Sequence, residues 1–320
     1  MCGINGFNFT DKALIHKMNK LLNHRGPDSQ GEYVDSNVSL GHTRLSIIDL
    51  TSAGNQPMPN EDESVWIVYN GEVYNFKELR NNFKRKYQFK SETDTEVLIH
   101  LYDEYGKEML PMLNGMFAFC LYDSNKKQLL LARDRTGVKP LYYYFDGDKF
   151  IFSSEIKAIL AHKIPQIINF NTLAFYLMYG YTLEHSLFNG IKQLLPASYI
   201  IFDLEKKTIS GGKFWQLVED RVQVGIDEIE LLLKDSVEKR AIADVPVGSY
   251  LSGGIDSSII TALSSPYIDE YHTFNVNFGE EVYSESKYAK MVSDHLGTIH
   301  HELTIEVENV IKEIKNIVWH

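Results

Sequence analysis

Two cysteines in 320 residues, Cys2 and Cys120, cannot build a disulfide framework, and neither sits in a Cys-x-x-Cys pair that would suggest zinc. Long hydrophobic runs are missing too. No stretch approaches the roughly 18 apolar residues of a membrane span, and the opening MCGINGFNFT lacks the basic start of a secretory signal. The chain therefore reads as a cytoplasmic protein with no membrane partner. A long basic block is also absent. The 32 Lys+Arg face 43 Asp+Glu for a net charge of −11, a poor balance for gripping a phosphate backbone, so nucleic acid is not expected as a partner. The densest basic cluster, Lys84-Arg85-Lys86, reads as the solvated end of a surface helix. No internal repeat or low-complexity stretch occurs.

What remains is ordinary globular composition, 44% apolar and 23% charged, in a chain about twice the length of a typical domain. Its character changes near residue 222. Before that point, short apolar runs at Val65–Tyr69, Met116–Leu121, Gln128–Ala132, Leu141–Phe145 and Phe150–Ser153 read as strands. Several are separated by turn residues such as Ser124-Asn125-Lys126 and Asp146-Gly147-Asp148, which implies antiparallel pairing. Three helices are expected among them, over Ala13–Leu22, Asp94–Tyr105 and Ser154–Ala161. The first 202 residues therefore predict an α+β domain of layered antiparallel sheets with helices. Residues 203–225, containing Gly211-Gly212, read as a linker or a small hairpin.

From 226 to 320 helices and strands alternate: a helix carrying Ile226, Ile229, Leu233 and Val237, then strands near Val247–Leu251, Thr273–Phe278 and Ile299–Leu303 with helices between and after them. That order implies an α/β domain with a parallel sheet. The first strand runs into Ser252-Gly253-Gly254-Ile255-Asp256-Ser257-Ser258, which opens a helix. Two glycines let the backbone turn its N–H groups inward at a positive helix end, and the flanking serines add hydroxyl donors, a combination suited to a phosphate. The pattern lacks the GxxxxGK[ST] of the Walker loop and resembles the SGGxDS signature of the ATP-pyrophosphatases.

The N-terminus offers a second chemistry. Once Met1 is removed, Cys2 becomes a nucleophile carrying its own base, an α-amino group with an ordinary pKa of about 7.7–8.0. Polar clusters follow at His24–Asp28, Gly41–Ser46, Asn70–Asn75 and Thr93–Glu96. An arginine, an Asn-Gly turn and a carboxylate converging on a thiol would bind an amino acid and an oxyanion.

The runs MCGI, HRGPDS, GHTRLSIIDL, NGEVYNF, SETDTEV, GMFAFCLYD, LARDRTGVKPLYYY, FSSEIKAI, DVPVGSYLSGGIDSS and HLGTIHHE, in this order and across essentially the whole chain, resemble the glutamine-dependent asparagine synthetases. The resemblance implies a class II glutamine amidotransferase domain of the N-terminal-nucleophile hydrolase fold, followed by an incomplete ATP-pyrophosphatase synthetase domain. It also implies the substrates glutamine, aspartate and ATP, with Mg²⁺ as the metal, and leaves a homodimer open. By position, Cys2 would attack the glutamine amide, and Asn70 with the Gly71 N–H would form the oxyanion hole. Arg44, Ile47, Ile48, Glu72 and Asp94 would hold the glutamine. Leu251, Ser252, Gly253, Gly254, Asp256, Ser257 and Val276 would serve ATP.

Departures from that family are informative. Its sequences continue well past Trp319-His320, and the later loop that completes the ATP and aspartate sites has no counterpart here. A fragment of a longer protein is therefore expected, with glutaminase as the activity of this chain alone. Ser284 stands where the family commonly has Asp. Two other readings share the architecture: an amidotransferase or cyclase with another acceptor, and a truncated regulatory module that binds glutamine or nucleotide. Cys120 reads as a buried inert thiol and Tyr142–Tyr144 as strand packing. Arg133-Asp134-Arg135 reads as an ion-pair corner, and adjacent His300-His301 as too divergent for joint metal ligation.

Overall fold

A computed structural model describes residues 1–182, 184–219, 224–278 and 284–320, and the chain divides into two units, Met1–Glu219 and Asp220–His320. The first unit begins with β1 (Gly3–Phe7), α1 (Lys12–Leu22), β2 (Ser29–Val34), β3 (Ser39–Arg44) and β4 (Met58–Pro59). It continues through β5 (Val65–Val73), α2 (Phe76–Asn81), α3 (Asp94–Tyr105), β6 (Gly115–Asp123), β7 (Gln128–Arg133), β8 (Tyr142–Phe145) and β9 (Phe150–Ser153). After α4 (Ile156–Ile159) and α5 (Phe170–Tyr179) come β10 (Ile191–Gln193), β11 (Ser198–Asp203) and β12 (Thr208–Lys213).

These strands make two antiparallel six-stranded sheets, ordered β10-β8-β9-β1-β3-β2 and β12-β11-β7-β6-β5-β4. The inner faces meet. Ile4, Leu40 and Phe152 of the first sheet share one fully buried cluster with Val68, Cys120, Leu131 and Phe202 of the second. Phe150 and Phe202 stack across the gap with ring centroids 4.6 Å apart. The alternate residues Phe7 and Ile151 face outward, where Ile15, Met18 and Leu22 of α1 and Ile159 of α4 cover them. On the far side α3 lies against β5. The layered antiparallel architecture expected from the sequence is present, and the Cys120 thiol is sealed in the layer between the sheets.

Several elements differ from the sequence reading. Asn70-Gly71 is no turn: β5 runs on to Val73, with Asn70 opposite Ala118 and Gly71 opposite Phe117 of β6. β1, β2, β3 and α2 carry polar residues that break any clean apolar period, and α5 is surrounded by apolar residues, so none of them shows as a periodic element in the sequence. Within the segment 203–225, Thr208–Lys213 pairs with β11 as the edge of the second sheet, while residues 220–223 lie outside the described residues. Arg133 and Asp134 direct their polar atoms at the backbone. Arg133 donates to the carbonyls of Lys139 (2.7 Å) and Leu194 (2.6 Å). Asp134 accepts from the N–H groups of Phe117, Val138 and Lys139 at 3.0–3.1 Å.

The second unit runs α6 (Ile226–Arg240), β13 (Gly248–Tyr250), α7 (Ile255–Ser264), β14 (His272–Asn277), α8 (Ser286–Leu296), β15 (Ile299–Thr304) and α9 (Val307–Trp319). Its three strands pair in parallel, in sequence order. Thr273 and Asn275 point to the buried face, while Tyr250, Phe274 and His301 form a row on an exposed one. The parallel sheet is thus present in part. His301 meets His272 at 2.8 Å on one face and His300 meets Thr273 at 3.0 Å on the other. Among the described residues, no group of three or more metal-capable side chains occurs, and no helix is long and apolar enough to cross a membrane.

Candidate active site

Cys2 lies one residue outside the paired register of β1, which begins at Gly3 opposite Thr43. Its thiol is half-buried against Leu45, whose N–H donates to Sγ at 3.5 Å and whose carbonyl lies 3.7 Å away. Burial pushes the thiol above its ordinary value, opposed by the contact with the Leu45 backbone. Arg25, which the sequence reading quoted without a role, donates its Nε–H to the Cys2 carbonyl at 3.0 Å.

Strand alternation places the remaining chemistry. Cys2 lies on the Ile4 side of the first sheet and Asn70 on the Val68 side of the second, and Ile4 and Val68 share the inner cluster. Both residues therefore continue the facing inner surfaces. Asn70 is 1% exposed, and its Oδ1 and Nδ2 are both buried without a hydrogen-bond partner in this structure. Leaving one such group unpaired costs about 1–3 kcal/mol, so this amide is an unusual thing to keep in a closed interior. Its neighbour Gly71 is compelled by close approach, since a Cβ there would sit 2.4 Å from the Met116 carbonyl oxygen of β6.

A polar cleft is lined by Cys2, Arg44, Ile47, Ile48, Gly71, Glu72 and Asp94, together with Gln56 and Tyr69, which the sequence reading missed. Thr93 caps α3 through a side-chain bond to the Glu96 N–H, fixing Asp94 in the first turn. The buried Asp94 carboxylate accepts from the Tyr69 hydroxyl at 2.6 Å and the Val73 N–H at 2.8 Å. Burial raises both acids, Asp94 to about 6 and Glu72 to about 8, with the Asp94 charge adding to the rise at Glu72 and Lys139 opposing it. Gln56 accepts from the Tyr69 N–H at 2.6 Å, and buried His42 meets the Tyr69 carbonyl at 3.0 Å. Burial depresses His42 to about 4, so its ring is neutral and donates.

Arg44 is 5% exposed and ties down its own loop. Nη1 donates to the Thr51 carbonyl (2.6 Å) and Asn55 Oδ1 (3.1 Å), and Nη2 to the carbonyls of Ile48 (3.3 Å) and Asp49. Gly54 permits this, because a Cβ there would fall 2.2 Å from Nη2. Four of its five N–H groups are thus engaged by the loop that carries Ile47 and Ile48, which leaves the Nε–H.

In the second unit, Ser252-Gly253-Gly254 turns from β13 into α7 as the motif predicts. Gly253 has φ +83°, and a Cβ there would meet the Tyr288–Ala289 backbone of α8 at 2.5 Å. Ser252 Oγ accepts from the Gly254 N–H (3.3 Å) and pairs with Ser257 Oγ (3.0 Å), and Asp256 is exposed in the first turn. Ser258 Oγ is buried without a hydrogen-bond partner in this structure. Leu251 is 1% exposed, with its N–H on Phe274 and its carbonyl on Asn275, whereas Val276 is half exposed near the carboxyl end of β14. Ser284 Oγ lies 3.4 Å from the Ser286 N–H at the start of α8.

Residues 1–215 match the glutamine amidotransferase domain family, and residues 228–320 the asparagine synthase family. A putative glutamine-hydrolysing asparagine synthetase 2 of Methanocaldococcus jannaschii is 38% identical over 352 residues, covering 100% of this chain and 68% of that protein. This chain belongs to the glutamine-hydrolysing asparagine synthetase family. Asparagine synthetase 1 of Bacillus subtilis is 38% identical over 97% of the chain and 50% of its own length. Asparagine synthetase B of Escherichia coli is 34% identical over 100% and 57%. The chain thus spans about half to two thirds of the length of these family members. A glutamine phosphoribosylpyrophosphate amidotransferase structure from B. subtilis superposes with a TM-score of 0.50 at 16% identity, covering 98% of this chain and 92% of that one. The likeness shows the fold alone.

Proposed function

We propose that the first unit hydrolyses glutamine, with Cys2 as nucleophile once Met1 is removed. The observation that carries this reading is the Asn70 amide, buried without a partner on the inner face that continues toward Cys2. A donor left unpaired in the resting fold is available where negative charge develops, at no reorganisation cost. The α-amine of Cys2 takes the thiol proton, and sulfur attacks the amide carbon. The carbonyl oxygen becomes an oxyanion held by the Asn70 Nδ2–H and the Gly71 N–H. Ammonia leaves with the returned proton, and water then cleaves the γ-glutamyl thioester to glutamate and free thiol.

Glu72 and Asp94 would receive the α-ammonium of glutamine. Burial raises both, and an α-ammonium between them would reverse that by stabilising the ionised forms. The Arg44 Nε–H and the backbone at Ile47 and Ile48 would meet the α-carboxylate.

For the protein as a whole, family membership supports ATP-dependent conversion of aspartate to asparagine, with ammonia from glutamine and release of AMP and pyrophosphate. The Ser252–Ser258 loop fits a nucleotide phosphate: a helix N-terminus, the Gly253–Gly254 turn and the unpartnered Ser258 hydroxyl offer anion donors, while Asp256 offers one oxygen to Mg²⁺. Mg²⁺ would supply charge neutralisation on the phosphates; Ser252, Ser257 and the Gly254 N–H would hold and orient them, with Gly253, Leu251 and Val276 shaping the nucleotide site. The test is an assay of the whole protein with glutamine, ATP, Mg²⁺ and aspartate. Glutamate, AMP and pyrophosphate are expected, and ADP in place of AMP would overturn the phosphate-loop reading.

A further inference from the structure

The nucleophile residue lies at a chain end, where the backbone frays unless something ties it down. Arg25 does so through its bond to the Cys2 carbonyl, and Glu155 in turn holds Arg25. The Glu155 side chain is 15% exposed, and its Oε1 accepts from Arg25 Nη1 and His24 Nε2, each at 2.9 Å, while Oε2 meets Lys157 Nζ at 2.9 Å. Its own backbone is anchored on β1. The preceding Ser154 takes the Ile4 N–H on Oγ (3.0 Å) and donates its N–H to the Ile4 carbonyl (2.9 Å).

We infer that Glu155 is a positioning residue for the nucleophile, fixing the Arg25 guanidinium and thereby the Cys2 carbonyl and the direction of its thiol. The inference rests on the glutaminase reading above. A guanidinium on a flexible stem defines a direction only when its plane is held by a second contact, and Glu155 supplies it on a different nitrogen from the one that meets Cys2. The carboxylate stays charged for this task. Burial opposes its ionisation, but donations from Arg25, Lys157 and His24 prevail and hold it below the ordinary range. None of the cleft residues Arg44, Glu72 and Asp94 bonds to this network, so glutamine binding and nucleophile alignment are separable.

Glu155→Gln in the full chain tests it. Steady-state glutamine hydrolysis is expected to lose about tenfold or more in kcat, with KM for glutamine within about twofold of the parent. Alkylation of Cys2 by iodoacetamide should slow in parallel, and Cys120, fully buried, will not confuse that readout. Glu155→Asp, which keeps the charge, should recover part of both and serves as the deciding variant if Glu155→Gln does not fold. Parental kcat in a folded variant, a rise in KM at constant kcat, or an activity loss matching the unfolded fraction by circular dichroism would each overturn the inference. Cys2→Ala separates the two levels: if it still hydrolyses glutamine the glutaminase reading fails, and if it is inactive while Glu155→Gln behaves as the parent only the positioning role fails.

Discussion

The Tyr69 hydroxyl donates to the Asp94 carboxylate at 2.6 Å, joining β5 to the first turn of α3 inside the cleft. That bond favours the ionised acid, yet burial outweighs it, and Asp94 still titrates near 6 with Glu72 near 8 beside it. The cleft therefore holds two carboxyls whose ionisation burial disfavours.

A pH dependence of stability follows. Unfolded carboxyls titrate near 4, so Glu72 keeps a proton that the unfolded chain has lost, and its contribution to stability falls as pH rises from about 6.5 to 8. Below that window the depressed His42 and His162 act with the opposite sign. The melting temperature of the first unit is expected to drop across that window and Glu72→Gln to flatten the drop. Saturating glutamine should oppose it. Equal slopes for parent and Glu72→Gln, measured by calorimetry, would refute the assignment.

Cys2→Ala is expected to abolish ammonia release from glutamine while leaving the fold intact. Among the described residues, the hydrogen-bond contacts of the thiol are those with Leu45 at 3.5 and 3.7 Å. Retaining Met1 by blocking its removal should be as damaging, because the α-amine of Cys2 is then no longer free. Ammonia release and far-ultraviolet circular dichroism decide both.

Asn70→Ala should separate catalysis from stability. Loss of one oxyanion donor typically lowers kcat by about 10²-fold or more. The melting temperature should not fall, because the amide has no hydrogen bond to lose and its removal relieves an unpaired buried group worth about 1–3 kcal/mol. A large drop in melting temperature would mean that the amide is structural.

The two glycines of the phosphate loop should respond differently. Gly253→Ala forces a Cβ against α8 at positive φ and should destabilise the second unit by more than about 1 kcal/mol. Gly254→Ala meets only Ser252 Oγ at 3.4 Å, at φ −69°, and should stay within about 0.5 kcal/mol of the parent. Urea-gradient proteolysis of the second unit checks the order, and reversal would show the loop to be built differently.

Much of the site was legible in the chain because its chemistry is local. Cys2 next to the initiator, the serines around Gly253-Gly254 and the strand-to-helix passage at Leu251–Ile255 each need only neighbouring residues to express their meaning. The two-layer antiparallel arrangement was likewise written in short apolar runs with hairpin turns between them. Asn70-Gly71 misleads for the same reason: in isolation the pair signals a turn, and pairing with β6 along Val65–Val73 holds it extended.

Tertiary structure alone decided the rest, since it depends on contacts between distant segments. Gly71 is required by the β6 carbonyl of Met116, and Arg44 binds the loop that carries Ile47 and Ile48. Glu155 comes to the nucleophile because β9 pairs with β1 and Ser154 bonds to Ile4, some 150 residues earlier in the chain. The unusual acidity of Glu72 and Asp94 is a property of neither residue type. It arises from their burial in one cleft with little water to share the charge, a circumstance that exists only after the sheets have closed on each other.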